Sequence, residues 1–202
     1  MPNLNEIEIK LKIPSEEDAM KLIEKLGKIS NNAPEYFEQT DIYYDAKNGD
    51  LMKKDFVIRM RIVNGKGYVA MKSPRIFIND AVQKRIELEF EVKDIEAIKQ
   101  KIKNQGLLET TVMEKRRTEF VLDNAVIAVD ELPFIGWFLE IESDGEESIE
   151  KIIKDLGVSS FERVKLNYGE LMDKKMSEIN LPMRPNLKAT FEQEKNWKSK
   201  QN

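Results

Sequence analysis

The sequence predicts an α+β protein: a closed or nearly closed antiparallel β-barrel of about eight strands, forming a tunnel, with helices packed outside. Three observations predict it. Segments in which charged and apolar residues alternate recur along the chain, and a period of two marks a half-buried strand. The charges segregate by strand, with acidic pairs on some and basic pairs on others. Solvated sheets tend to mix signs, because like charges across or along a ladder repel. Finally, amphipathic helices need the apolar face of the sheet, so the charged face must look elsewhere. Curling the sheet with that face inward makes a lumen that water, metal ions and a polyanion can fill.

In chain order, Leu4 to Ile13 alternates as a strand. Ser15 with Asp18 opens a helix carrying Ala19, Leu22, Ile23 and Leu26 on one face, with Gly27 as its C-cap. Tyr36 to Asp45 reads as a second strand. Phe56 to Val63 and Tyr68 to Lys72 flank Asn64-Gly65-Lys66-Gly67, a hairpin signal. Val82 to Val92 is a long strand, and Ile95 to Gln105 a helix closed by Gly106. Val112 to Leu122 and Val126 to Leu132 form a hairpin about Asp123-Asn124. Phe138 to Glu142 is a short strand, and Glu146 to Leu156 a helix ending at Gly157. Three times an acidic-apolar-acidic strand is followed by an amphipathic helix and a glycine, at unequal spacings that exclude a solenoid. Residues 1–175 are expected to form one domain and residues 176–202 a polar, mobile tail.

Composition narrows the chemistry. The 202 residues are 35% charged and 41% apolar, which suits a soluble globular domain. Histidine and cysteine are both absent, which excludes a Ser-His-Asp triad, a thiolate site and the usual zinc site. A metal must then be held by carboxylates and carbonyls, which suit magnesium, calcium or manganese. With 33 basic against 37 acidic residues, bulk charge does not point to nucleic acid. No apolar run is long enough to cross a membrane and no signal-peptide pattern opens the chain, so the expected location is cytoplasmic.

Residues i and i+2 of a strand share a face. Glu6, Glu8 and Lys10 therefore point one way, as do Arg59 with Arg61, Arg85 with Glu87 and Glu89, Lys115 with Arg117, and Glu140 with Glu142. Each pair alone is what any solvated strand face shows. Together they fit a tunnel in which Lys and Arg bind phosphate oxygens by charge-assisted hydrogen bonds while carboxylates hold a bridging cation. Such phosphoryl chemistry rests on positioning and charge neutralisation and needs no nucleophilic side chain.

These residues, in this order, resemble the CYTH superfamily, which contains class IV adenylyl cyclases, thiamine triphosphatases and tripolyphosphatases. Glu6-Ile7-Glu8-Ile9-Lys10 matches its ExExK signature. Gln39-Thr40-Asp41-Ile42-Tyr43-Tyr44-Asp45, Arg59-Met60-Arg61 and Met71-Lys72-Ser73-Pro74 resemble its next strands, with Ser73 where many relatives have Gly. Arg85-Ile86-Glu87-Leu88-Glu89, Lys115-Arg116-Arg117, Asp130 and Gly136-Trp137-Phe138-Leu139-Glu140-Ile141-Glu142 complete the series, which runs from about residue 5 to 172.

The resemblance implies metal ligation by Glu6, Glu8, Glu140 and Glu142 with Asp130 alongside, the metal being Mg²⁺ or Mn²⁺. It places Glu87 nearby and lines the phosphate path with Lys10, Arg59, Arg61, Lys72, Arg85, Lys115 and Arg117, with Lys165 as a late lysine. Catalytic roles fall to Glu6, Glu8, Lys10, Glu87 and Asp130. Arg116 has the opposite parity and should face outward. The implied partner is a triphosphate-containing small molecule, with no nucleic acid and no membrane, and the chain is expected as a monomer or homodimer. Hydrolysis of tripolyphosphate, thiamine triphosphate or a nucleoside triphosphate is the leading reading. Cyclisation of ATP to cyclic AMP and pyrophosphate is the second, and a non-catalytic polyphosphate or nucleotide binder the third.

Overall fold

The computed structural model describes residues 5–79 and 81–201, with side chains described from residue 7 onward. In chain order the elements are β1 (Asn5–Lys12), α1 (Glu16–Ile29), β2 (Glu35–Ala46), α2 (Asp50–Lys53), β3 (Val57–Val63), β4 (Lys66–Lys72), β5 (Ile76–Phe77), β6 (Gln83–Val92), α3 (Ile95–Asn104), β7 (Leu107–Leu122), β8 (Ala125–Leu132), β9 (Gly136–Ser143), α4 (Glu146–Leu156), β10 (Glu162–Arg163), α5 (Tyr168–Glu178), β11 (Leu187–Ala189) and α6 (Phe191–Lys198). Eight strands close a ring in the order β1-β9-β8-β7-β2-β3-β4-β6, with β6 returning to β1, and every pairing in the ring is antiparallel. The barrel and its outer helices are those the alternation predicts.

The ring forms because each strand is apolar on its outward face and charged on its inward one. Ile9, Leu11, Phe120, Ile127, Leu139 and Ile141 point outward beneath α1 and α4, which bury Leu22, Leu26, Ile149 and Ile153 against them. A second outer core joins Ile42, Tyr44, Met60 and Val69 to Ile95, Ile98 and Ile102 of α3. Gly67 lets α3 approach: a Cβ there would lie 2.5 Å from Ile95 Cγ1. At the β3–β4 hairpin, Asn64 and Gly65 both take positive φ, 50° and 77°, the geometry a two-residue type I′ turn demands. Inside, the small Ala70 and Ala128 stand opposite Glu89 and Glu140, leaving room for long charged side chains.

Two expectations need correction. Gly27 is not a C-cap: α1 runs on to Ile29, and the Ser30 N–H closes it on the Leu26 carbonyl. Burial of Leu22 and Leu26 holds that last turn against a glycine penalty of about 1 kcal/mol. Residues 176–202 are not a tail that leaves the barrel, and α5 runs straight through residue 175. Leu187–Ala189 adds to β7 as a parallel strand, facing Thr111 to Met113. Leu187, Ala189, Met172 and Met176 bury one another against Met113, Trp197 packs edge-on to Phe134, and the Phe191 ring stacks on the Arg116 guanidinium at 4.0 Å. The polar composition of this segment hides an apolar residue at each point of contact.

Leu187→Ala is therefore expected to destabilise the protein by about 3 kcal/mol, read as a lowered midpoint in urea at unchanged slope. Loss of under about 0.5 kcal/mol would show that this segment contributes little to the core.

Candidate active site

The inward faces converge on one cavity of about 550 Å³. Ten cationic side chains line it, seven of them on the ring strands: Lys10, Arg59, Arg61, Lys72, Arg85, Lys115 and Arg117. Ten carboxylates line the same cavity, among them Glu8, Asp41, Glu87, Glu89, Glu119, Glu140 and Glu142 on the ring strands. Register brings them together across strands. Lys10 opposes Glu140 and Glu8 opposes Glu142 on β1 and β9, Asp41 opposes Arg61 on β2 and β3, and Lys72 opposes Glu87 on β4 and β6.

Most of these charges are paired. Asp41 accepts two hydrogen bonds from Arg61, at 2.7 and 2.8 Å. Arg59 reaches Glu89 at 2.8 Å and Glu87 at 3.4 Å. Lys72 sits 2.6 Å from Glu87, and Lys10 3.1 Å from Glu140. Arg117 donates to Glu140 as well. Burial opposes the charge of Asp41 and of Glu140, yet the facing cations hold both carboxyls well below the usual carboxylate range.

Two places are left with like charges together. At one, Lys115 is buried beside Arg117 and Arg61. Burial, then repulsion by Arg117, pushes its ammonium down to about 8, against the pull of Asp130. Lys10 is as deeply buried, but Glu140 and Glu8 overcome the burial cost and hold it above the ordinary lysine value. At the other, Glu142 faces Glu8 across the β1–β9 ladder. Partial burial, then Glu8, raises the Glu142 carboxyl above its ordinary value, with Lys72 opposing. Glu8 takes a hydrogen bond from Gln83 Nε2 at 2.5 Å.

Of the sequence-predicted residues, Glu8, Lys10, Arg59, Arg61, Lys72, Arg85, Glu87, Lys115, Arg117, Glu140 and Glu142 all line the cavity. Glu6 faces Arg85 in register, and its side chain lies outside the described residues. Arg116 faces outward as its parity requires, beside Glu38 and Glu131.

Asp130 sits behind the cations of β7. It is fully buried, with both oxygens taken: Arg117 donates to each at 2.8 Å, and Lys115 and the Tyr168 hydroxyl donate to Oδ2 at 3.1 and 2.9 Å. Three donors crowd Oδ2 and one holds Oδ1, so Asp130 orients Lys115 and Arg117 as they stand. Lys165 is exposed beyond β10, and its carbonyl accepts from Arg75 at 3.3 Å.

As the side chains stand, no group of three or more carboxylates among the described residues is gathered tightly enough to hold an ion. The donor set nevertheless fits a hard divalent cation. Glu8 and Glu142 supply carboxylate oxygens from directly opposed positions, and like charges so placed destabilise a ladder unless a cation relieves them.

The C-terminal segment contributes side chains that the sequence reading did not select. Tyr168 opens α5 behind a capping box formed by Asn167 and Glu170. Its ring packs on Phe138 at 5.3 Å and covers the ammonium groups of Lys10 and Lys115, at 4.3 and 5.5 Å from its centroid. The Asn167-x-x-Glu170 spacing is the signal that could have placed this helix start. Arg184 also lines the cavity, fixed by Asp173, which accepts from its main-chain N–H and its Nε at 2.9 and 2.6 Å. No local pattern marks it, because only chain folding brings residue 184 back to the lumen. At the mouth, Arg75 ties Asp55 to Glu170 through hydrogen bonds of about 3 Å to each.

Comparison with known proteins agrees with this architecture. The CYTH domain family matches residues 4–165. A protein of Methanocaldococcus jannaschii, provisionally named an adenylate cyclase, is 30% identical over 176 residues, covering 82% of this chain and 97% of its own. The PH1819 protein of Pyrococcus horikoshii superposes with a TM-score of 0.68 at 25% identity, over 84% of this chain and 99% of its own. The Hippeastrum protein HpAC1, a provisional adenylyl cyclase described as having a dominant triphosphatase activity, shares the fold at a TM-score of 0.63 and 17% identity, over 88% and 97% of the two chains.

Asp130→Asn is expected to lower stability by about 3 kcal/mol, because it removes the charge that two buried cations face, while Mn²⁺ affinity measured by calorimetry stays within about threefold. Glu142→Gln should instead cost Mn²⁺ affinity roughly tenfold or more with little change in stability. The reverse pattern would place Asp130 in the metal set.

Proposed function

The chain belongs to the CYTH family, and from that premise we propose that it is a divalent-metal-dependent enzyme that transfers a phosphoryl group from a triphosphate held in the barrel, with water as the acceptor. The observation that carries this reading is the convergence of seven cations from five strands and the Glu8–Glu142 pair on one cavity.

Charge balance supports the metal requirement. The lining cations and carboxylates are equal in number, ten of each, so the lumen wall is formally neutral. A triphosphate brings about four negative charges, and burying them uncompensated would cost several kcal/mol. Divalent cations at Glu8 and Glu142, with Glu6 and Glu140 beside them, would offset that charge and supply a more acidic bound water. The residues of the chain then bind and orient. Arg59, Arg61, Lys10 and Arg117 exchange carboxylate oxygens for phosphate oxygens at the same donor positions. Asp130 and Tyr168 keep Lys115 and Arg117 aimed while this happens. Glu87, fixed by Lys72, stands on the wall to position water. The absence of histidine leaves proton transfer to carboxylate and water, which suits phosphoryl transfer, where bond making contributes little beyond alignment.

Tripolyphosphate, thiamine triphosphate and nucleoside triphosphates all present the same three phosphates to this wall. A second reading is favoured by the 30%-identical relative's name: attack of a ribose 3′-hydroxyl on the α-phosphorus, releasing cyclic AMP and pyrophosphate. The two differ in which phosphorus faces the attacking oxygen. Incubation with ATP, thiamine triphosphate and tripolyphosphate under Mg²⁺ and Mn²⁺, followed by product separation, decides between them. Orthophosphate supports the hydrolase and cyclic AMP the cyclase. Metal-independent polyphosphate binding without turnover would overturn both.

Arg59→Ala is expected to weaken tripolyphosphate binding by roughly 10- to 100-fold, the loss of one charge-assisted contact of about 1.5–3 kcal/mol, whereas Arg116→Ala should stay within about twofold. Equal losses would mean that side-chain parity does not decide contact. Affinity for tripolyphosphate should also fall as pH rises through about 8, where Lys115 loses its proton. Lys115→Met should bind more weakly at neutral pH and lack that decline, and an unchanged decline in this variant would assign the titration elsewhere.

A further inference from the structure

Among the described residues, outward apolar side chains of β1, β7, β8 and β9 pack with α1 and α4, and those of β2, β3 and β4 with α3. On β6, Val92 packs with α3, but the stripe continues through Phe90, Leu88 and Ile86, which are 48%, 45% and 50% exposed. Met71 of β4 stands directly opposite Leu88 and is also exposed. Ile76 of β5 extends the surface past the far edge of β6, where it faces Lys84 in register and remains exposed. Five large apolar side chains thus share this outer face, while the inward side of β6 carries Arg85, Glu87 and Glu89 into the cavity.

We propose that this outer face of β4, β5 and β6 is the contact surface of a homodimer. The exposed halves of the five side chains amount to on the order of 500 Å² of apolar surface, at the upper end of what an ordinary monomer leaves to water. Two copies face to face remove about 1,000 Å² before any polar rim is counted, the size at which an interface becomes specific. The face is suited to two-fold symmetry. An axis through Leu88 sets Ile86 against Phe90 of the partner subunit and returns the same contact on the other side. It also brings the Lys84 end of one face toward the acidic end of the other, where Asp94 and Glu96 open α3.

Other occupants fit less well. The C-terminal segment is packed on β7 and beside Phe134, so it does not cover the patch. A net charge of −4 opposes docking on an anionic membrane.

The test is sedimentation velocity on the full chain from low to high micromolar concentration. The wild type should sediment as a two-chain species. Leu88→Lys, an exposed position that leaves the barrel core untouched, should raise the dissociation constant at least about 100-fold with an unchanged circular dichroism spectrum. The chain contains no cysteine, so Leu88→Cys offers one thiol. A short bismaleimide should link two copies through it, and should fail to do so through Met20→Cys on α1. A wild type that stays monomeric throughout, or a folded Leu88→Lys variant that still dimerises, overturns the proposal and leaves the face to a different partner.

Discussion

Opposite charges inside a closed barrel must find one another, since an unpaired ion in that environment costs several kcal/mol. Residues two apart on a strand lie roughly 6.5–7 Å from each other, so pairs within a strand are long, as between Arg117 and Glu119 at 3.8 Å, and the short ones cross the ladder. That geometry makes register decide the partners. Arg61 on β3 finds Asp41 on β2, Arg59 reaches over the small Ala70 of β4 to Glu89 on β6, and Lys10 on β1 finds Glu140 on β9. Replacing such pairs with apolar side chains would be neutral or stabilising in many proteins, so stability alone gives no reason to keep them. They are better understood as donors and acceptors held ready for exchange with a ligand.

The pairing is incomplete at two points of opposite sign. Glu142 and Glu8 crowd negative charge at one, and Lys115, Arg117 and Arg61 crowd positive charge at the other. A complex of a divalent cation with a polyanion carries the charges that relieve both. The cavity is therefore neutral in sum but polarised in arrangement, and the proposed metal-bound polyanion rests on that polarity.

The segment after residue 165 lies beyond the span matched by the family, yet it completes the site. Tyr168 roofs two lysines, Arg184 adds a cation to the wall, and β11 and α6 fasten the segment to the barrel. The Arg75 tie to Asp55 and Glu170 joins this addition to the strands across the mouth. Chemistry assigned to the eight-stranded ring thus depends on residues outside it.

Alternation alone was enough to place the eight strands and to sort Arg117 inward from Arg116 outward, because a strand's period of two is a local property of the backbone. The helix start at Ser15 was equally local, since a cap needs only its own first turn. The partners of each charge were not legible. Asp130 and Glu140 look alike in the sequence, but register puts one under four donors and leaves the other on the lumen wall. The docking of residues 176–202 was also hidden, since its contacts are single apolar residues spaced without a period, and the return of Arg184 depends on the path of the whole segment. The amino-acid order by itself determined which side chains face the lumen. Only the closed tertiary structure decided which of them neutralise each other, because that depends on strand register and on distances between residues far apart in the chain.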